Sequence, residues 1–290
     1  MKDLIREFQS YPGIGVKMLS YKREIKATRV GLPRGLYFLH FAPVQKKHPE
    51  IVMYIHGGGW NSKCPKDFEF IGQRIASEGY ECVIMGYRKV PRVHFNEIID
   101  DVCMEYKAVL QYFKKKEINA DRVIIMGSSA GAHLGSLLVY DKEIHKKYKI
   151  GAKRFAGFIS LAGPLCFQGK STWVLKQLLS DLFEKGQDQS VGEPYSRLDL
   201  LTADDTTELS IPMFLIQSEH DGVLNLDQTL LFARKAMEMN IPVTYYRVAD
   251  SKNTHTSYST AVFFDNLGKS KTLQTIFSYL DQLSTDYSAD

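Results

Sequence analysis

Apolar residues in this chain fall into short solid runs separated by longer stretches with helical spacing. Ile51 to Ile55, Tyr80 to Gly86, Val123 to Met126, Phe155 to Leu161, Ile211 to Gln217 and Val243 to Val248 have strand length and many β-branched residues. Between them, apolar positions recur every three or four residues. Asn96 to Lys115 puts Ile98, Val102, Tyr106, Val109, Leu110 and Phe113 on one side of a long helix. Pro65 to Ser77 reads as a helix ended by Gly79. Thr172 to Glu184 reads as a helical piece, Asp227 to Met239 as a helix stopped at Asn240, and Leu267 to Leu283 as the closing helix. Residues 16–21 and 35–41 read as strands joined by the turn around Gly31-Leu32-Pro33, an antiparallel opening to the sheet. Strands alternating with helices predict an α/β fold, with a mostly parallel sheet covered on both faces. No repeat, low-complexity tract or Ser/Pro-rich linker divides the chain, so residues 1–290 are expected to form one domain. Residues 163–208 are the least regular part and are expected to form a small lid or cap insertion.

Composition narrows the picture only slightly. The 290 residues are 44% hydrophobic, enough for a sizeable core, and the formal net charge is +4. Basic residues cluster at Lys114-Lys115-Lys116 and between Lys142 and Arg154, where helices should end and cations are favourable. Nucleic-acid binding would want more charge with interleaved aromatics, and is not expected. Cys64, Cys82, Cys103 and Cys166 form no C-x-x-C pair and no zinc spacing. The N-terminal MKDLIREFQS has no apolar signal-peptide core. The most apolar segment, Phe155 to Phe167, is broken by Ser160 and Pro164 and is too short to span a bilayer. The expectation is a soluble cytoplasmic protein with reduced thiols and no membrane insertion.

The chemistry concentrates at Arg122 to Tyr140, RVIIMGSSAGAHLGSLLVY. A buried run turns sharply through Gly127-Ser128-Ser129-Ala130-Gly131 and continues as a helix, the setting of a G-x-S-x-G nucleophile elbow. A serine hydroxyl is a poor nucleophile unless held against a base. The elbow exposes Ser129 on a strained turn, and Gly127 and Gly131 remove the Cβ atoms that would clash there. Gly135 lets the helix approach the sheet. A second signal, His56-Gly57-Gly58-Gly59, follows a buried strand and lets backbone N–H groups point into a cleft, as a tetrahedral oxyanion requires. His56 itself reads as a loop-stabilising residue.

With this elbow the partners follow the serine in the order acid, then histidine. Beyond Gln217 the histidine is His255, in the polar loop Asp250 to Ser257, His220 lying beside the acid itself. Ser218-Glu219-His220-Asp221-Gly222 offers Asp221 as the acid, with Glu219 as the fallback. His133, one turn past the serine, reads as a packing or hydrogen-bonding residue.

HGGGW (56–60), GYRKVP (86–91), GSSAG (127–131), SEHDGV (218–223) and the His255 loop together resemble the α/β-hydrolase family, and within it the hormone-sensitive-lipase-like carboxylesterases. The resemblance runs from about residue 35 onward. It implies the α/β-hydrolase fold, an oxyanion hole of Gly58, Gly59 and Ala130, and neither cofactor nor metal. Ser128 stands where that family usually has Asp. SSAGAHL is also similar to bacterial feruloyl/acetyl-xylan esterases and kynurenine formamidases.

The function expected is a serine hydrolase cleaving short-chain, acetyl-type carboxylic esters through Ser129, Asp221 and His255. The alternatives are a xylan-type acetyl or feruloyl esterase, a kynurenine-formamidase-like amidase, and a binding protein that keeps the fold without catalysis. The expected partner is a small-molecule ester; a homodimer is left open. Phe167, Trp173, Leu178, Leu179 and Phe183 are candidate pocket walls, and Trp60 either walls the acyl pocket or packs.

Overall fold

The computed structural model describes residues 2–21, 24–198, 211–250 and 252–285. In chain order the elements are α1 (Lys2–Ser20), β1 (Thr28–Gly31), β2 (Tyr37–Phe41), β3 (Ile51–Ile55), α2 (Glu69–Ser77), β4 (Glu81–Met85), α3 (Phe95–Lys115), β5 (Val123–Ser128) and α4 (Ala130–Tyr140). There follow α5 (Lys142–Tyr148), β6 (Phe155–Leu161), α6 (Trp173–Leu182), α7 (Pro194–Leu198), β7 (Met213–Ser218), α8 (Leu226–Glu238), β8 (Val243–Val248), α9 (His255–Ser259) and α10 (Lys271–Thr285).

The strands form one sheet in the order β1-β2-β4-β3-β5-β6-β7-β8. β1, β2 and β4 pair antiparallel, and all pairs from β4 to β8 are parallel. Every residue of β3, β4, β5 and β7 is buried, because helices cover both faces; that is why these strands read as solid apolar runs rather than alternating ones. The exposed edge strand β8 buries only Val248 fully. The chain passes from β3 to β4 on one side, then crosses to β5 on the other. The carboxyl ends of β3 and β5 therefore open onto the crevice where the strand order reverses, the usual ligand position in such sheets. Ile55 pairs with Gly127 there, which sets the glycine loop beside the elbow.

The opening of the chain departs from the pattern reading. Residues 16–20 continue α1, and the strand before β2 is Thr28–Gly31 instead. Leu4, Phe8, Tyr11, Ile14 and Met18 recur at three and four, but Pro12, Gly13 and Gly15 obscure that rhythm. Docking against α9 and the turn Ala261–Phe264 outweighs those weak local preferences. The basic stretch after Lys142, expected as a helix end, forms α5, started by the Asp141 carboxylate accepting the N–H groups of Glu143 and Ile144. In the irregular segment, α6 and α7 lie within 163–198, and residues 199–208 fall outside the described residues. Among the described residues, no helix is long and apolar enough to cross a membrane.

Candidate active site

The elbow joins β5 directly to α4, with Ser129 at φ 50°, ψ −122° between them. A left-handed conformation at a serine costs on the order of 1–3 kcal/mol and persists only where its surroundings enforce it. The enforcement is steric. A Cβ on Gly127 would lie 2.5 Å from the Gly131 carbonyl carbon, and one on Gly131 would lie 2.0 Å from the Ile55 oxygen. Ser129 N–H also donates to Leu161 O on β6 at 2.9 Å. The serine is thus held at the tip of the turn, lining a cavity of about 340 Å³.

Ser129 Oγ lies 3.0 Å from His255 Nε2, and His255 Nδ1 lies 2.8 Å from Asp221 Oδ2. A carboxylate only accepts, so Nδ1 carries the proton and Nε2 is free to accept from the serine. Asp221 is heavily supplied with donors. Tyr258 OH (2.7 Å) and Gln217 Nε2 (3.2 Å) donate to Oδ2, while the N–H groups of Val223 and Leu224 donate to Oδ1, each at 2.8 Å. Burial alone raises the Asp221 carboxyl; the charge and hydrogen bond of His255, with the bonds from Tyr258 and Leu224, outweigh it and leave the pKa below its ordinary value. Burial lowers His255, but the charge and hydrogen bond of Asp221, with the charge of Glu7, bring it above its ordinary value. The pair is built to stabilise an imidazolium.

The glycine loop after β3 packs on the elbow. A Cβ on Gly57 would lie 2.8 Å from Ser128 O, and Gly58 and Gly59 have φ of +121° and +57°. His56 stacks between Phe68 and Tyr87 and donates from Nδ1 to Gly57 O at 2.6 Å. Lys89 Nζ donates to His56 Nε2 at 3.2 Å. Burial, then the Lys89 charge, push the His56 pKa down to about 3, so the ring stays neutral. Anchoring the Gly57 carbonyl turns the Gly58 N–H, on the opposite side of the same trans peptide, away from His56. Ala130 opens α4, so its N–H has no intrahelical partner and sits at the positive end of the helix. Gly58 and Gly59 line the cavity with Ser129, and Ala130 follows Ser129 directly in the chain. Ser128 is fully buried and accepts from Tyr54 OH at 2.6 Å.

The structure brings Ser129, His255, Asp221 and the glycine loop together, but moves most of the expected pocket walls elsewhere. Trp60 is buried edge-on against His133, Phe167 stacks on His133, and Phe183 packs on Phe95. Trp173 is 75% exposed. Leu179 belongs to the buried core. On α6 it is Val174 and Leu178, one turn apart, that face the cavity, so their immediate neighbours Trp173 and Leu179 point away from it. Further walls include Tyr11, Ile14 and Met18 of α1, Phe68 and Phe70 at α2, and Phe264. The α1 residues were missed, although their three-and-four spacing was the signal for them. Glu219 instead pairs with Arg247 at 2.6 Å, and His133 Nε2 lies 2.6 Å from Gly192 O. Among the described residues, no group of three or more His, Cys, Asp or Glu side chains is placed to hold a metal ion.

Similarity to known proteins agrees with this architecture. Endo-1,4-beta-xylanase B of Butyrivibrio fibrisolvens is 25% identical over 224 residues, which cover 74% of this chain and 33% of that protein. Neutral cholesterol ester hydrolase 1 of Rattus norvegicus is 34% identical over 110 residues, 35% of this chain and 27% of that protein. The chain thus spans about a third of the length of the curated relatives it matches. Esterase B from Lactobacillus rhamnosis superposes with a TM-score of 0.78 at 17% identity, covering 99% of this chain and 96% of that one. A second structure of esterase B, with a C4-C4 SN3 tributyrin phosphonate, gives 0.76. The α/β-hydrolase fold expected from the motifs is the fold observed. The BD-FAE family model matches residues 39–236, from β2 through nearly all of α8, and over that span, well beyond half its length, the chain belongs to the BD-FAE family.

Proposed function

We propose that the chain is a serine hydrolase acting on carboxylic esters with small, neutral acyl groups. The observation that carries this reading is the continuous hydrogen-bonded line from Ser129 Oγ through His255 to Asp221, opening onto the cavity. His255 Nε2 takes the Ser129 proton as Oγ attacks the ester carbonyl. The oxyanion that forms is held by N–H groups of Gly58, Gly59 and Ala130, and Asp221 stabilises the imidazolium. His255 returns the proton to the leaving alcohol, and water then cleaves the acyl-enzyme by the same steps. The cavity of about 340 Å³ is at the small end of small-molecule sites, and its walls are mainly aliphatic and aromatic. Both features suit a short apolar acyl chain, as does the tributyrin phosphonate of esterase B. Residues 163–198 act in this reading as a small cap, with Val174 and Leu178 forming one wall. The four cysteines, all unpaired, suit a reducing, cytoplasmic setting.

A second reading, deacetylation of a xylan-type carbohydrate, is favoured by the similarity to endo-1,4-beta-xylanase B and by Lys63 and Asp67 among the cavity residues. Hydrolysis of p-nitrophenyl acetate, butyrate, octanoate and laurate, run beside acetylated xylan, separates the two. Turnover concentrated at acetate and butyrate is expected, and Ser129→Ala should lower kcat by roughly 10⁴ or more. A Ser129→Ala protein retaining half the activity would overturn the assignment.

A further inference from the structure

Helix α1 reaches the site in a way that the relay of Ser129, His255 and Asp221 does not account for. Most of its residues are exposed, but Glu7 is only 3% exposed. The Glu7 carboxylate accepts the N–H of Thr256, at 3.1 Å to Oε1 and 3.3 Å to Oε2. Thr256 directly follows His255 in α9. One turn along α1, Ser10 Oγ lies 3.3 Å from Thr254 Oγ1, on the other side of His255. At the start of the helix, the Leu4 backbone presses on Gly222, where a Cβ would lie 2.7 Å from Leu4 Cα. A single helix therefore touches the segment that delivers Asp221 and the one that delivers His255.

A carboxylate is costly to bury without a compensating partner. Arg6, the neighbouring cation on α1, is directed to Asp3 at 2.9 Å and to the His220 ring at 3.5 Å. We propose that Glu7 is a positioning residue for His255: it fixes the backbone beside the imidazole so that Nε2 faces Ser129, and its negative charge favours the imidazolium formed when the serine is deprotonated. This rests on the serine-hydrolase reading given above. Other titratable groups lie around this part of the site. Asp221 is on His255 Nδ1, Tyr258 reaches it through Asp221, and the Tyr11 hydroxyl lies beside Glu7 and Thr256. Lys63 and Asp67 lie across the cavity. Glu7 acts on His255 in the same direction as Asp221.

Glu7→Gln keeps an acceptor for Thr256 and removes the charge. The His255 pKa is read by NMR titration in the Ser129→Ala background, where no turnover is needed, and the acid limb of kcat/KM is read in the active protein. Both midpoints should move down by roughly half a unit to one unit, as expected for the loss of one buried charge nearby. Glu7→Asp, which keeps the charge, should return them toward the starting value. A folded Glu7→Gln protein whose His255 midpoint moves by less than about 0.2 unit overturns the proposal, since one charge at this range should exceed that. A protein inactive before any substitution would overturn the hydrolase reading instead, and the titration would still decide the role of Glu7.

Discussion

Replacing Asp221 by asparagine separates the charge of this residue from its shape. Oδ1 accepts two backbone N–H groups, from Val223 and Leu224 at 2.8 Å each. Oδ2 accepts from His255 Nδ1, Tyr258 OH and Gln217 Nε2. An asparagine has one oxygen to place. Turned toward His255, that oxygen would leave the amide NH₂ facing two buried backbone donors, at about 1–3 kcal/mol for each one left unmet. Turned toward Val223 and Leu224, it satisfies both, and the NH₂ then faces His255 Nδ1. Two donors cannot face each other, so the imidazole proton moves to Nε2, the nitrogen 3.0 Å from Ser129 Oγ. A protonated Nε2 cannot accept the serine proton.

The expected cost is about 10⁴ in kcat/KM, the size that a wrong tautomer produces in another serine hydrolase. At 1.36 kcal/mol per decade this is roughly 5.5 kcal/mol of transition-state stabilisation. The assay is kcat/KM on p-nitrophenyl butyrate, with the thermal midpoint confirming that the variant is folded. Labelling of Ser129 by a fluorophosphonate should slow in parallel, because it needs the same base. A folded Asp221→Asn protein with more than a tenth of the starting kcat/KM would show that the backbone donors do not dictate the amide orientation, or that His255 is not the base.

The pKa directions of the relay give a pH profile: activity needs neutral His255, so kcat/KM should fall on the acid side with a midpoint above 6.5, and a midpoint at or below 6.5 would contradict the raised value. For stability the signs oppose: the His255 contribution is complete below 6.5 and is lost as pH rises through its raised folded pKa, whereas the Asp221 contribution is present above 3.8 and is lost as pH falls through its depressed one. Thermal midpoints across pH should therefore fall on both sides, and Asp221→Asn should flatten the curve. Leu178 already lies where a Cβ on Gly59 would come within 2.9 Å of it, so Leu178→Trp has little room except the acyl cavity. The butyrate-to-acetate ratio of kcat/KM should then drop by about tenfold, and an unchanged ratio would place the acyl chain against another wall.

What is legible in the sequence follows from how local each physical demand is. The central strands can be read because burial on both faces forces unbroken apolar runs. The elbow can be read because its clashes fall on Gly127 and Gly131, two residues either side of Ser129. His255 and Asp221 can be placed because strand order constrains where an acid and a base can enter. The pocket walls offer no such signature. Trp60, Phe167 and Phe183 are large and apolar, and nothing local says whether a large apolar residue packs under the site or lines it. In the structure they pack around His133 and Phe95, and the cavity is lined instead by Tyr11, Phe68, Phe70 and Phe264 with Ile14, Val174 and Leu178.

Helix α1 is the limiting case. Its pattern is interrupted by Pro12, Gly13 and Gly15, and the surface it docks on comes from residues 220–222 and 254–264, at the far end of the chain. Its stability as a helix is therefore a property of the assembled molecule, since amphipathic helices draw most of their stability from the face they bury. The same docking joins two roles that are separate elsewhere in the site. Asp221 sets the state of His255 without touching the cavity, and Leu178 shapes the cavity without touching His255. The one face of α1 does both, with Tyr11, Ile14 and Met18 on the cavity and Glu7 on the backbone beside His255. A substitution that lifts α1 away from α9 should then change acyl preference and the acid limb together, whereas changes at Asp221 or Leu178 should move only one of them.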